Sequence, residues 1–146
     1  MSVHHTNIGI CPLCLEKLKD ADIKLYTWFY LHVRLNWPNA HISCTFRGPH
    51  AQEKAWLEGK TTLHFPDSLH NKKPARAIDL FQIDENGKGV WDKEFFSELN
   101  YYNRIQDINL KWGGEFKELK DYCHFELPKH WLRRLYERII GYFFYY

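Results

Sequence analysis

The sequence predicts an α+β fold, with residues 1–146 forming one domain. Three observations carry this. Apolar residues recur at helical spacing near the start of the chain. Short strand-like runs lie in its middle. Further helices are interspersed among those runs without the regular strand–helix alternation that parallel sheets need. A mass of 17.7 kDa suits one domain, and 45% hydrophobic with 26% charged residues excludes disordered and low-complexity classes.

Taken in order, Leu13–Lys19 reads as a short helix. Lys24–Asn36 reads as a second, apolar on most sides through Leu25, Trp28, Phe29, Leu31, Val33 and Leu35, and stopped by Pro38. So apolar a helix belongs to a core and is assigned no chemistry. Ala40–Phe46 alternates as a strand does, and Pro49–Glu58 resumes a helical pattern. A loop over Gly59–Lys73 leads to an apolar strand, Ala75–Ile83, closed by the turn Asp84-Glu85-Asn86-Gly87. Helical spacing returns over Trp91–Ile108 through Phe95, Phe96, Leu99, Tyr102 and Ile105. The turn Trp112-Gly113-Gly114 then leads to a last strand near Cys123–Leu127. After Pro128 a basic, aromatic helix is expected over residues 129–146, with Leu132, Leu135, Tyr136, Ile139 and Phe143 on one face. Packing of that face on the domain is the first expectation; contact with an anionic membrane or a cell-wall polymer is the alternative.

Charge and length exclude several functions. Lys+Arg (20) nearly cancels Asp+Glu (18), and a net charge of +2 gives no electrostatic footprint for nucleic acid. The longest apolar run, Ile139–Tyr146, falls far short of the roughly 20 residues that span a bilayer. The first residues lack a basic start followed by an apolar stretch, so the expectation is a chain kept in the cytoplasm of the producing cell or released by another agent. Cys11, Cys14, Cys44 and Cys123 are too few for a disulfide scaffold and are expected as free thiols.

Of nine histidines, His4, His5, His32, His50 and His64 are given no role. Two segments differ, each placing a histidine beside a carboxylate at an element end: Ser68–Asp79 and Asp121–Glu126. A hydrolytic zinc site takes three protein ligands and keeps one position open. His70, Asp79 and His124 would supply two neutral imidazoles and one carboxylate, leaving a positive centre that acidifies water and polarises a carbonyl. Asp121, three residues before His124, is placed to take and pass on the proton. On spacing alone, unrelated surface polar residues remain the simpler explanation.

These segments resemble the zinc peptidoglycan peptidases that include D-alanyl-D-alanine carboxypeptidases, D,D-dipeptidases and phage L-alanyl-D-glutamate endopeptidases, a family sharing its fold with the Hedgehog signalling domain. The matching residues are Ser68-x-His70, Ala77-x-Asp79, Asp121-x-x-His124-Phe125-Glu126 and Trp112-Gly113-Gly114, within about residues 41–127. The resemblance implies a small central antiparallel sheet with flanking helices and Zn²⁺ on His70, Asp79 and His124. It also implies Asp121 as the base and a peptidoglycan stem peptide as substrate, with Ser68 and Trp112 forming part of its pocket. The segment Cys44–Gln52 matches more weakly. Through it Arg47 is implied as the support of the oxyanion and Gln52 as a companion in substrate binding. Glu126 is the competing base, or the partner that orients an imidazole. One departure is that eight residues separate His70 from Asp79 where the family has six, and a proline stands in for its glycine; Asp84 and Asp67 are the other carboxylates to weigh. The reading is a monomeric endopeptidase of endolysin type, which a phage or prophage source would fit, or a D-Ala–D-Ala carboxypeptidase. A fold relative without catalysis, binding cell wall or a partner protein, is the alternative.

Cys11-Pro12-Leu13-Cys14 lies outside the resemblance. Two thiolates at this spacing make half a structural zinc site, which His4, His5 or Cys44 could complete; two ordinary thiols at a helix start are the commoner explanation.

Overall fold

A computed structural model describes residues 9–129. The amphipathic helix expected over 129–146 lies, beyond Lys129, outside the described residues, as do His4 and His5. Helix α1 (Pro12–Leu18) opens with proline in its first turn, where the missing N–H costs nothing. Helix α2 (Ile23–Trp28) is capped by the Asp22 carboxylate, which accepts from Lys24 N. It runs on through a π-helical turn (Phe29–Val33) into α3 (Arg34–Asn36), so the single helix expected over Lys24–Asn36 carries a wide turn in its middle.

Strand β1 (Ala40–Cys44) follows, then α4 (Pro49–Leu57), a 3-10 turn (Leu69–Asn71) and β2 (Ala77–Ile83). The turn after β2 closes a hairpin with β3 (Gly89–Val90), and α5 (Lys93–Ile105) leads to β4 (Lys111–Trp112) and β5 (His124–Glu126). The sheet is antiparallel throughout, in the order β1-β2-β5-β4, with β3 on the far end of β2. The α+β class and the order of elements thus follow the expectation, while β3 and β4, at two residues each, carry no periodicity a sequence could reveal.

Alternation along the strands decides which face is which. Ile78 and Leu80 of β2 and Phe125 of β5 are fully buried in the apolar core with Leu25, Trp28 and Phe29 of the α2 region and Phe96 and Leu99 of α5. Trp28 packs on Phe125 at 5.3 Å between ring centres and donates through Nε1 to Asn103 Oδ1 at 2.9 Å. The intervening residues, Asp79, His124 and Glu126, therefore leave the core for the other face. No helix among the described residues is long and apolar enough to cross a membrane.

Candidate metal centre

Register brings the two strand ligands together. Asp79 of β2 pairs directly with His124 of β5, and Ala77 with Glu126. On the other side of β2, a bulge between Ile42 and Cys44 sets Cys44 opposite Asp79. His70 arrives from the 3-10 turn, where Ser68 Oγ accepts from His70 N and Asn71 Oδ1 accepts from Ser68 N, a reciprocal cap that fixes the turn. The turn is tied to the segment between β1 and α4 by Arg47 N donating to His70 O at 2.8 Å.

The three atoms His70 Nε2, Asp79 Oδ1 and His124 Nδ1 form a triangle with sides of 3.1, 2.9 and 3.1 Å. Their partners fix what these atoms are. His70 Nδ1 lies 2.7 Å from the Thr45 carbonyl oxygen, so Nδ1 holds the hydrogen and Nε2 presents a lone pair. His124 Nε2 lies 2.9 Å from Glu126 Oε2, so Nε2 holds the hydrogen and Nδ1 presents a lone pair. With both imidazoles neutral, two lone pairs and a carboxylate oxygen converge on one point, an arrangement that a bound proton or metal cation stabilises. Donors bonded to zinc at 2.0–2.1 Å with tetrahedral angles stand about 3.3 Å apart, close to these separations. The residues present therefore fit a metal ion.

Proton affinities show the same demand for positive charge. Burial works against charge on His70, yet the field and hydrogen bond of Asp79 overcome it and push the imidazole up to about 10. His124 is likewise opposed by burial and carried up to about 9 by hydrogen bonds to Asp79 and Glu126. Asp79 is opposed by burial too, but the two imidazoles hold its carboxyl far below the usual carboxylate range. Asp121 moves the other way: burial and the nearby Asp79 charge raise it.

His70, His124 and Asp121 line a cleft of about 640 Å³ with Arg47, Ser68 and Trp112 and segments 60–63 and 115–119. Asp121, Asp79 and His124 each offer a ligand atom within 4.8 Å of the others, and Asp121 Oδ1 accepts from the Cys123 thiol at 3.1 Å. Gly113 makes this closeness possible, since a Cβ there would collide with the Asp121 carbonyl and press on His124 Cβ. Trp112 donates through Nε1 to Tyr122 O at 2.7 Å and lays its ring over Gly114, where a Cβ would strike it.

Arg47 reaches Asp79 Oδ2 at 3.4 Å with Nη2 and Gln52 Oε1 at 3.3 Å with Nη1. Gln52, expected as a companion in substrate binding, stands behind Arg47, outside the residues that line the cleft. It is fully buried, its Oε1 accepts also from Asn71 Nδ2, and its Nε2 donates to Leu63 O. It holds Arg47, the turn and the 60–63 loop in place. Asp84 is spent on its own turn, accepting from Asn86 and Lys88 N, and Asp67 lies on the cleft wall. Spacing gave no sign of Cys44, whose sulfur lies within 4.8 Å of ligand atoms of His70 and Asp79; only strand register reveals it.

No model of a known protein family matches the sequence, and no curated protein matches it. Among solved structures, the crystal structure of the Serratia marcescens L-Ala D-Glu endopeptidase ChiX superposes with a TM-score of 0.68. The match covers 84% of this chain and 92% of that one, at 22% identity. At that identity the likeness is one of fold: this chain shares the small α+β architecture of that structure.

Proposed function

We propose that this protein is a zinc-dependent peptidoglycan peptidase that hydrolyses a stem-peptide bond, with the L-Ala–D-Glu bond as the favoured target. One observation carries the reading: His70 Nε2, Asp79 Oδ1 and His124 Nδ1 converge as three acceptors beside an open cleft. The fold match to an L-Ala D-Glu endopeptidase favours the endopeptidase over the carboxypeptidase. Zn²⁺ on these three residues would act as a Lewis acid and make water acidic enough to yield its proton near neutral pH.

The chain's own groups have the following parts. Asp121, raised in proton affinity by burial, takes the proton from the attacking water and delivers it to the departing amine. Arg47, at the cleft and braced by Gln52, donates to the carbonyl oxygen as negative charge gathers there. Glu126 holds the His124 hydrogen on Nε2, which keeps the other nitrogen's lone pair turned inward. Ser68 and Trp112 shape the cleft wall against which the stem peptide lies.

The test is incubation of the zinc-supplemented protein with purified peptidoglycan and mass analysis of the fragments. New L-Ala carboxyl ends and D-Glu amino ends are expected. Released D-Ala would reassign the bond to the carboxypeptidase reaction, and no product from a zinc-loaded protein would favour a non-catalytic relative. Asp121→Ala should keep its metal and lose about 10²–10⁴-fold in rate. Asp79→Ala should lose the metal itself. If Asp121→Ala loses metal while Glu126→Ala keeps metal and loses activity, the base and ligand roles are wrong.

A further inference from the structure

Away from the cleft, α1 meets β1 around a second group of metal-ligating side chains. Cys11 Sγ and Cys14 Sγ each lie 3.5 Å from the same nitrogen, His41 Nδ1. All three side chains are buried, with 9%, 1% and 4% of their surface exposed, and the three ligand atoms lie within 4.8 Å of one another. A single ring nitrogen has one hydrogen or one lone pair in its plane, so it cannot make a well-directed hydrogen bond to both sulfurs. A tetrahedral zinc with Zn–S near 2.3 Å and Zn–N near 2.05 Å would set sulfur and nitrogen about 3.6 Å apart, for both sulfurs at once.

The geometry points to a second, structural metal site in which Cys11, Cys14 and His41 supply three of the four donors to Zn²⁺, the fourth being a neutral donor such as water, and clamp α1 to β1. Charge agrees with burial. Two thiolates and a neutral imidazole around a divalent ion sum to zero, the two thiol protons passing to solvent on binding. The main chain of β1 already addresses the site: Ile42 N donates to Cys14 Sγ at 3.3 Å, the kind of bond that supports a thiolate ligand. Lys17 Nζ, one turn further along α1, donates to Ile42 O at 2.7 Å. There is also a structural need. A seven-residue helix is too short to persist without tertiary anchoring, and β1 leads straight to Thr45, whose carbonyl orients His70. The sequence pointed to His4, His5 or Cys44 as partners of the cysteine pair. Cys44 instead faces His70 and Asp79, and the third donor is His41, 27 residues beyond Cys14.

The test uses the full chain, stripped of metal under reductant and reloaded with Co²⁺, read by thiolate-to-cobalt charge-transfer absorption in the near ultraviolet. The ligands proposed for the other centre, His70, Asp79 and His124, include no thiolate, and Cys44→Ser checks that the nearby Cys44 supplies none, so with that control the band reports on the cysteine site. Wild type and Asp79→Ala should show it with equal intensity, that of one thiolate-bound cobalt per chain. Cys14→Ser and His41→Ala should lose the band and one bound metal per chain, and His41→Cys should restore both. Failure of the peptidase reading would lower total metal in wild type but leave the band intact. A wild type without the band overturns the proposal, as does a band that survives Cys14→Ser and vanishes in Cys44→Ser.

Discussion

Gln52 gives the sharpest test of how the cleft is held together. Its side chain is wholly enclosed. Its Oε1 accepts from Arg47 Nη1 at 3.3 Å and from Asn71 Nδ2 at 3.1 Å, while its Nε2 donates to Leu63 O at 2.7 Å. Gln52→Ala removes all three bonds at once, but the partners suffer unequally. Leu63 is exposed, so water takes over at its carbonyl. Asn71 Nδ2 keeps its 2.8 Å bond to Arg47 O, and Arg47 keeps Asp79. What remains is one buried donor on Asn71 and one half-buried donor on Arg47, each partly satisfied, and a void. At about 1–3 kcal/mol for each stranded buried group, reduced for the bonds that survive, the loss should be about 2–4 kcal/mol. A domain stable by about 5–15 kcal/mol still folds after that. Urea denaturation measures the loss directly. Trypsin should also cut faster after Lys60 in the variant, because Gln52 is the tether of the 60–63 loop. A loss under about 0.5 kcal/mol with unchanged cleavage at Lys60 would refute this account.

Glu126→Leu removes the acceptor that fixes the His124 tautomer, so it should weaken zinc about 10–100-fold, measured by competition with a chromogenic chelator. Stripping the metal should also change how stability responds to pH. His70 and His124 are held at about 10 and about 9 in the folded state, above their ordinary value. The stability they contribute is therefore complete below about pH 6.5 and is lost as pH rises through 9–10. Metal binding must displace this proton charge, so zinc affinity should climb over the same window. Thermal unfolding of chelated and zinc-loaded protein from pH 6 to 10 checks both signs; a chelated protein that gains stability across that range would contradict them.

Much of this arrangement was legible because it rests on local rules. Helical patterning placed α1 to within a residue at each end, and α4; apolar spacing placed α2 and α5, and the Asp84–Gly87 turn placed the end of β2. Alternation put His124 and Glu126 on one face of β5, and their side chains do meet at 2.9 Å. What stayed hidden depends on pairing between distant segments. The meeting of Asp79 with His124, implied beforehand only by the family resemblance, is a matter of β2–β5 register, and that of Cys14 with His41 a matter of α1 packing on β1. Neither leaves a mark in the spacing of one segment.

The interval between His70 and Asp79 shows how such long-range contacts absorb a local irregularity. Eight residues separate the two ligands, and the segment does not bulge freely from the sheet. Ala75 N donates to Asp20 O and Asp22 N to Ala75 O, so the loop is bridged to the α1–α2 connection beside Ala21. Arg76 then closes on both neighbours, its N–H donating to Leu69 O and its carbonyl accepting from Leu127 N. Ala75 and Arg76 are thus fastened to neighbouring segments just before β2 begins. Closing a slightly longer loop costs only a few tenths of a kcal/mol, and these four backbone bonds, each worth about 1 kcal/mol, outweigh that cost. The longer interval therefore returns β2 to the sheet in the register that sets Asp79 against both His70 and His124.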